Sequence, residues 1–204
     1  MNSLARLILI TIALVLLVAG CASPLPTPIT PTANPQTAAA WPQPASTSAS
    51  EASTLTPIEE LGKTGTPIKV DIATYRLTVD GLVEHPLSLS YDEILALPSV
   101  SQIPRLECPG FFVNYAEWTG PLVRTLLEKA VVKPSASEVE FYDGSKPPYH
   151  KPLTLEEALR EDTFLAYKVN GQTLPVEHGY PLRLVAGSKL GSYWVKWLFR
   201  IEVK

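Results

Sequence analysis

Between residues 67 and 204, apolar and polar positions alternate on two periods, and the switches between those periods outline the elements. Tyr75-Arg76-Leu77-Thr78-Val79 alternates singly and runs into Asp80-Gly81, the pattern of a half-buried strand closed by a turn. Ser90-Tyr91-Asp92-Glu93 sets a hydroxyl three residues before a carboxylate, a capping box that starts a short helix through Leu97, where Pro98 stops it. Ile103 to Cys108 reads as a strand that delivers the cysteine to its end. Pro121, tolerated at the first helical position, opens a helix through Ala130 that carries Leu122, Val123, Leu126, Leu127 and Ala130 on one face. Val139 to Tyr142 alternates again up to Asp143-Gly144, and Thr154 with Glu157 repeats the capping box. Thr163 to Val169 returns as a strand and turns at Asn170-Gly171, a strong hairpin signal. Pro181–Val185 and Tyr193–Val203 complete the set. Many short strands with two or three short helices predict a single α+β domain built on mixed sheet, long enough to bury a core. The sequence has no internal repeat, no glycine-rich phosphate loop and no metal-spaced histidine pair.

The first 66 residues do not share this patterning. Residues 1–20 hold one charge, Arg6, and the apolar run Leu7 to Val18, as a secretory signal does. The run ends Leu17-Val18-Ala19-Gly20-Cys21, which resembles the lipobox of bacterial lipoproteins. That resemblance implies cleavage before Cys21 and acylation of its thiol; an uncleaved anchor helix is the other reading. Both predict an extracytoplasmic domain tethered to the cell membrane. Of the forty-five residues 22–66, thirty are Pro, Ser, Thr or Ala and Trp41 is the lone aromatic, so the expectation for 21–66 is a disordered, extended linker.

Composition adds two constraints. The formal net charge of −3 gives no basic face for a nucleic acid. Only two cysteines are present, and if Cys21 is acylated, Cys108 has no partner for a disulfide. A lone thiol in an oxidising compartment must be buried or bound, and a thiolate is a soft ligand for a metal or redox centre. A nucleophilic thiol activated by His178 is a weaker reading, because Pro109 removes an amide that would favour the thiolate. Against the slightly acidic whole, the stretch from Arg183 onward carries Arg183, Lys189, Lys196, Arg200 and Lys204 against one acid, Glu202. Gly187 and Gly191 flank a loop there, which suits an anion; a basic edge strand that discourages aggregation explains the same charges.

Leu106-Glu107-Cys108-Pro109-Gly110, Glu117-Trp118-Thr119-Gly120-Pro121-Leu122, Leu165 to Gly171, His178 to Arg183 and Trp194 to Val203 together resemble, in order, the sulfite-oxidase-type molybdopterin-binding domain. The resemblance spans nearly all of 67–204. It implies that fold and Mo-molybdopterin as cofactor, with Cys108 as the catalytic thiolate ligand of the metal. It further implies that Asp143 hydrogen-bonds the pterin, that His178 and Arg183 hold the cofactor, and that Trp194, Val195 and Lys196 contact pterin and phosphate. The segment 59–70 gives no clear match to the cofactor-binding segment that precedes the first strand in larger members. The implied activity is two-electron oxygen-atom transfer with a small oxo-acceptor or oxo-donor, served by a redox partner protein. The alternative is a cofactor-free binding or scaffold lipoprotein that keeps the fold.

Overall fold

The computed structural model describes residues 54–204; the expected signal, Cys21 and most of the expected linker lie outside them. Residues 54–66, expected as linker, instead pack on the domain. The Thr56 amide donates to the Tyr115 carbonyl at 2.7 Å, and the Gly62 amide donates to Asn114 Oδ1 at 2.7 Å. Asn170 Nδ2 donates to the Thr56 carbonyl at 2.9 Å. Pro57 leads into a 3-10 helix, Ile58–Glu60, after which Leu61 is buried. Composition hides this because the few apolar anchors and borrowed hydrogen bonds that order the strap are diluted by Thr, Pro and Gly.

The first strand, β1 (Leu77–Gly81), buries Leu77 and Val79 and pairs antiparallel with β2 (Leu87–Leu89). Tyr75, expected inside the strand, is a buried anchor before it whose hydroxyl donates to the Leu198 carbonyl at 2.5 Å. The capping box at Ser90 forms as expected and starts α1 (Tyr91–Leu95). Next come β3 (Ser99–Gln102), the hairpin β4 (Arg105–Cys108) with β5 (Phe112–Tyr115), and β6 (Trp118–Pro121). Pro121 closes β6 rather than opening the helix; α2 (Val123–Ala130) begins two residues later, with Leu122 as an N-cap that makes no side-chain bond. A strand end needs no amide from proline, so the sequence satisfied both readings. The helix buries Val123, Leu126, Leu127 and Ala130, the face expected.

The strands β7 (Glu138–Asp143) and β8 (His150–Thr154) form a long hairpin, and Thr154 caps α3 (Leu155–Ala158) through the second box. The expected strand 163–169 divides into β9 (Thr163–Ala166) and β10 (Lys168–Val169). Asn170 and Gly171, both at positive φ (47° and 74°), turn β10 onto β11 (Gln172–Thr173), the type I′ geometry their dipeptide favours. After β12 (Arg183–Ala186), residues expected as strand from Tyr193 fold otherwise. Gly191–Tyr193 is a 3-10 turn and Trp197 sits at φ 53°, so β13 begins only at Leu198 (Leu198–Val203). Tightly turned backbone cannot be told from strand by apolar content alone.

The larger sheet runs β2-β1-β13-β7-β8, with β1 and β13 parallel and the other neighbours antiparallel; a second sheet runs β11-β10-β6-β3. The pairs β9–β12 and β4–β5 stand apart. This is the α+β, mixed-sheet class. Contacts between layers are close: a Cβ on Gly120 of β6 would land on the Leu165 carbonyl of β9. Backbone cannot swing aside as a side chain does, so Gly120→Ala lowers stability by about 2 kcal/mol or more, read as a fall in the urea midpoint with unchanged m-value.

Candidate functional site

The β4–β5 hairpin tip, the β7–β8 loop, the 190s turn and the N-terminal strap meet around a cavity of about 580 Å³. Cys108 is at the end of β4 on its wall, the only cysteine among the described residues and a free thiol. Asp143, Trp194 and Lys196 line the same cavity. His178, Arg183 and Val195 do not line it; all three are buried.

Local backbone explains how the thiol is seated. A Cβ built on Gly191 would stand 2.6 Å from Cys108 Sγ and 2.9 Å from Leu106 Cδ1, so the turn can lie on the cysteine only because residue 191 has no side chain. The other expected anion-loop glycine does something different: the Gly187 amide donates to the Asp162 carbonyl at 2.9 Å, and a Cβ at this position would stand 3.1 Å from Asp162 Cβ. The amides of Trp194 and Val195 donate to the carbonyls of Gly191 and Tyr193, and the Val195 carbonyl accepts from Leu184. What this stretch offers the cavity is therefore the Trp194 ring and the Lys196 amine.

Behind the thiol lies a cluster of cations. The Arg183 guanidinium is 4.9 Å from the Trp118 ring and 5.4 Å from the Trp194 ring, and those two indoles meet edge to face. Nη1 donates to the His178 carbonyl at 3.3 Å, while buried Nε has no partner. Burial pushes Arg183 down to about 10, opposed by the neighbouring Cys108, and it stays charged at neutral pH. Lys196 Nζ donates to the Glu177 carbonyl at 3.0 Å and to the Thr64 carbonyl, and lies over the Trp197 ring. Burial, with Arg183 close by, brings Lys196 to about 8; Cys108 acts the other way. His178 ends a 3-10 helix, Val176–His178, and falls to about 4 through burial and the charges of Arg183, Lys196 and Lys63, leaving it neutral at pH 7. Gly179 at φ 114° lets these groups converge, since its Cβ would press on Lys196 Cβ at 3.0 Å and Arg183 Cβ at 3.2 Å.

Asp143 joins the wall from the β7 end. Its Oδ1 accepts from Ser145 Oγ (2.6 Å), the Ser145 amide (2.9 Å) and the Tyr149 amide (2.8 Å), which fixes the β7–β8 loop. Oδ2 takes no hydrogen bond from the described residues, so one carboxylate oxygen is left for the cavity. Sequence reasoning missed the strap residues Thr64, Gly65, Thr66 and Ile68, together with Ser145, Tyr149 and Ser192. No local pattern marks them. Phe111 and Trp197 also line the cavity. His150 is half-exposed and paired with Glu140, and neither residue lines the cavity.

The low value at His178 has a sign that can be checked. The unfolded chain binds a proton at the ordinary 6.5 and the folded one only near 4, so stability is full above 6.5 and falls as pH drops through that window. Chemical denaturation at stepped pH shows the urea midpoint declining from 6.5 to 4, and His178→Gln flattens that part of the profile.

The family model for the oxidoreductase molybdopterin binding domain matches residues 63–204. The chain is 29% identical to sulfite oxidase of Arabidopsis thaliana, over 76% of this chain and 49% of that one. It is 32% identical to the protein-methionine-sulfoxide reductase catalytic subunit MsrP of Gluconobacter oxydans, over 63% of this chain and 46% of that one. Among solved structures, the sulfane dehydrogenase SoxCD from Paracoccus pantotrophus superposes with a TM-score of 0.64 at 28% identity, covering 67% of this chain and 40% of that one. The chain thus spans less than half the length of each of these proteins. The match runs from the strap that closes the cavity to the last strand, and on it the chain belongs to the oxidoreductase molybdopterin binding domain family, a molybdopterin-using family of oxidoreductases.

Proposed function

We propose that this domain binds Mo-molybdopterin in the cavity beside Cys108 and transfers an oxygen atom to or from a small substrate, outside the membrane to which Cys21 tethers it. The observation that carries the reading is the buried cluster behind the thiol: Arg183 with an unpartnered Nε, beside Lys196 whose donors meet only backbone carbonyls. A buried guanidinium with no carboxylate partner costs several kcal/mol unless an anion completes it. A phosphate-bearing ligand does that, and an empty scaffold domain gives no reason to keep the arrangement.

The donor set fits the cofactor's chemistry. Among the described residues no three His, Cys, Asp or Glu side chains gather as a metal cage, so a metal at Cys108 takes its other ligands from the bound group. Cys108 supplies one soft thiolate. Arg183 and Lys196 neutralise the phosphate, the open oxygen of Asp143 accepts an N–H of the heterocycle, and neutral His178 adds a hydrogen bond without another charge. Trp194, Trp197 and the strap exclude water from one side, which strengthens each of these contacts. When bound, the molybdopterin supplies two-electron redox chemistry coupled to oxygen-atom transfer. In the reducing direction each turnover consumes two electrons and two protons and releases water, the electrons arriving from a redox partner protein. No helix among the described residues is long and apolar enough to cross a membrane.

Two measurements test this. Elemental analysis of protein from the native membrane fraction gives near-stoichiometric molybdenum for the wild type and almost none for Cys108→Ser, with circular dichroism unchanged, because the substitution removes the soft ligand and keeps the volume. Full molybdenum in Cys108→Ser contradicts the ligand assignment. Cys21→Ala moves the protein from the membrane to the soluble fraction; retention in the membrane contradicts the lipid anchor.

A further inference from the structure

Four elements wall the cavity, and they are not equally tied. The hairpin tip is closed by the Phe111 amide donating to the Cys108 carbonyl at 2.9 Å. The β7–β8 loop hangs on the three donors that reach Asp143 Oδ1. The 190s turn is held by Trp194 Nε1 donating to the Ala186 carbonyl at 2.9 Å, and by the Tyr149 hydroxyl donating to the Ser192 carbonyl at 2.5 Å. The strap differs. Across residues 63–69 no backbone group bonds to another backbone group of the described residues, and every residue but half-buried Ile68 is exposed.

The two ends of this stretch are fixed. Leu61 is buried and the Gly62 amide is bonded to Asn114, while a Cβ on Gly62 would land on the Phe112 ring. At the far end Val70 packs on the core and Tyr75 is buried. Between them, Gly65 at φ 73° passes over the Trp197 ring, where a Cβ would stand 3.5 Å away. A single hydrogen bond joins the middle of the strap to the described domain, from Lys196 Nζ to the Thr64 carbonyl. The same ammonium donates to the Glu177 carbonyl, lies over Trp197, and has a third N–H to give. A segment anchored at both ends and pinned once between them opens locally while the domain stays folded.

We propose that residues 63–69 are the door of the cavity, swinging out to admit the anionic ligand and closing over it, with Lys196 as a latch shared by ligand and strap. This rests on the cofactor reading above and adds how the ligand is admitted and retained. Burial, with Arg183 close by, holds Lys196 at about 8. An anion beside these two cations favours the charged lysine, and a charged lysine grips the Thr64 carbonyl more firmly than a neutral one. Filling the cavity and closing the strap therefore favour each other, as linkage requires.

Trypsin reads the door directly. Exposed Lys63 and Lys69 flank the loose stretch, and between Arg6 and Lys63 the chain has no Lys or Arg, so a first cut at Lys63 parts the N-terminal segment from the domain. The full chain is compared as recovered with its molybdenum and as made in a host that cannot synthesise molybdopterin. Under native conditions the loaded protein is cut in the strap at least tenfold more slowly than the empty one, because cutting follows the open population. In the empty protein Lys196→Met speeds the cut about tenfold, the factor a charge-assisted hydrogen bond supplies, and Lys196→Arg restores slow cutting; melting temperatures stay the same. Equal cutting of loaded and empty protein, or of empty wild type and Lys196→Met, overturns the latch and leaves the cofactor reading intact. Native protein without molybdenum overturns the cofactor reading, and with it the door for that ligand.

Discussion

A guanidinium buried against a pair of touching indoles is the constraint on which the site depends. Arg183 enters the domain on β12, whose four residues are all buried, and its guanidinium packs against both Trp118 of β6 and Trp194 of the following turn, which themselves meet edge to face. Two cation–π contacts in a desolvated setting return on the order of 2 kcal/mol each, less than the cost of burying the charge. The remainder falls to an anionic ligand, a part that the proposed function gives to the phosphate of the cofactor. The closeness of Gly179 to Arg183 and Lys196, and of Gly191 to Cys108, follows from the same need, since each glycine removes the side chain that would hold these groups apart.

Much of the fold was legible because its signals are local. Both capping boxes place a hydroxyl and a carboxylate where the helix needs them, and Asn170-Gly171 turns as its dipeptide dictates. Pro121 and the 193–197 stretch were misread for a shared reason. Proline suits a strand end as well as a helix start, and an apolar run becomes strand or tight turn according to what it packs against.

The site was legible only in part. Cys108, Asp143, Trp194 and Lys196 come together around one cavity, and His178 and Arg183 stand behind them as a buried support. The strap was illegible because its order comes from tertiary hydrogen bonds, Gly62 to Asn114 and Thr56 to Tyr115, whose partners lie far along the chain. The segment that gave no clear match by sequence, around Thr64 to Ile68, forms one wall of the cavity and holds the Lys196 amine through the Thr64 carbonyl. A strand-free stretch rich in Thr and Gly can do this because it contributes backbone oxygens and little else.

The central claim is that Cys108 is bonded to a metal carried by a ligand that also completes Arg183 and Lys196. Crystals of the protein purified from its native source, measured on both sides of the molybdenum absorption edge, test it directly. The account predicts one anomalous peak within bonding distance of Cys108 Sγ, with continuous ligand density running from it to Arg183 and Lys196. Protein that contains molybdenum but shows the peak elsewhere, or a Cys108 thiol with no peak beside it, contradicts the account.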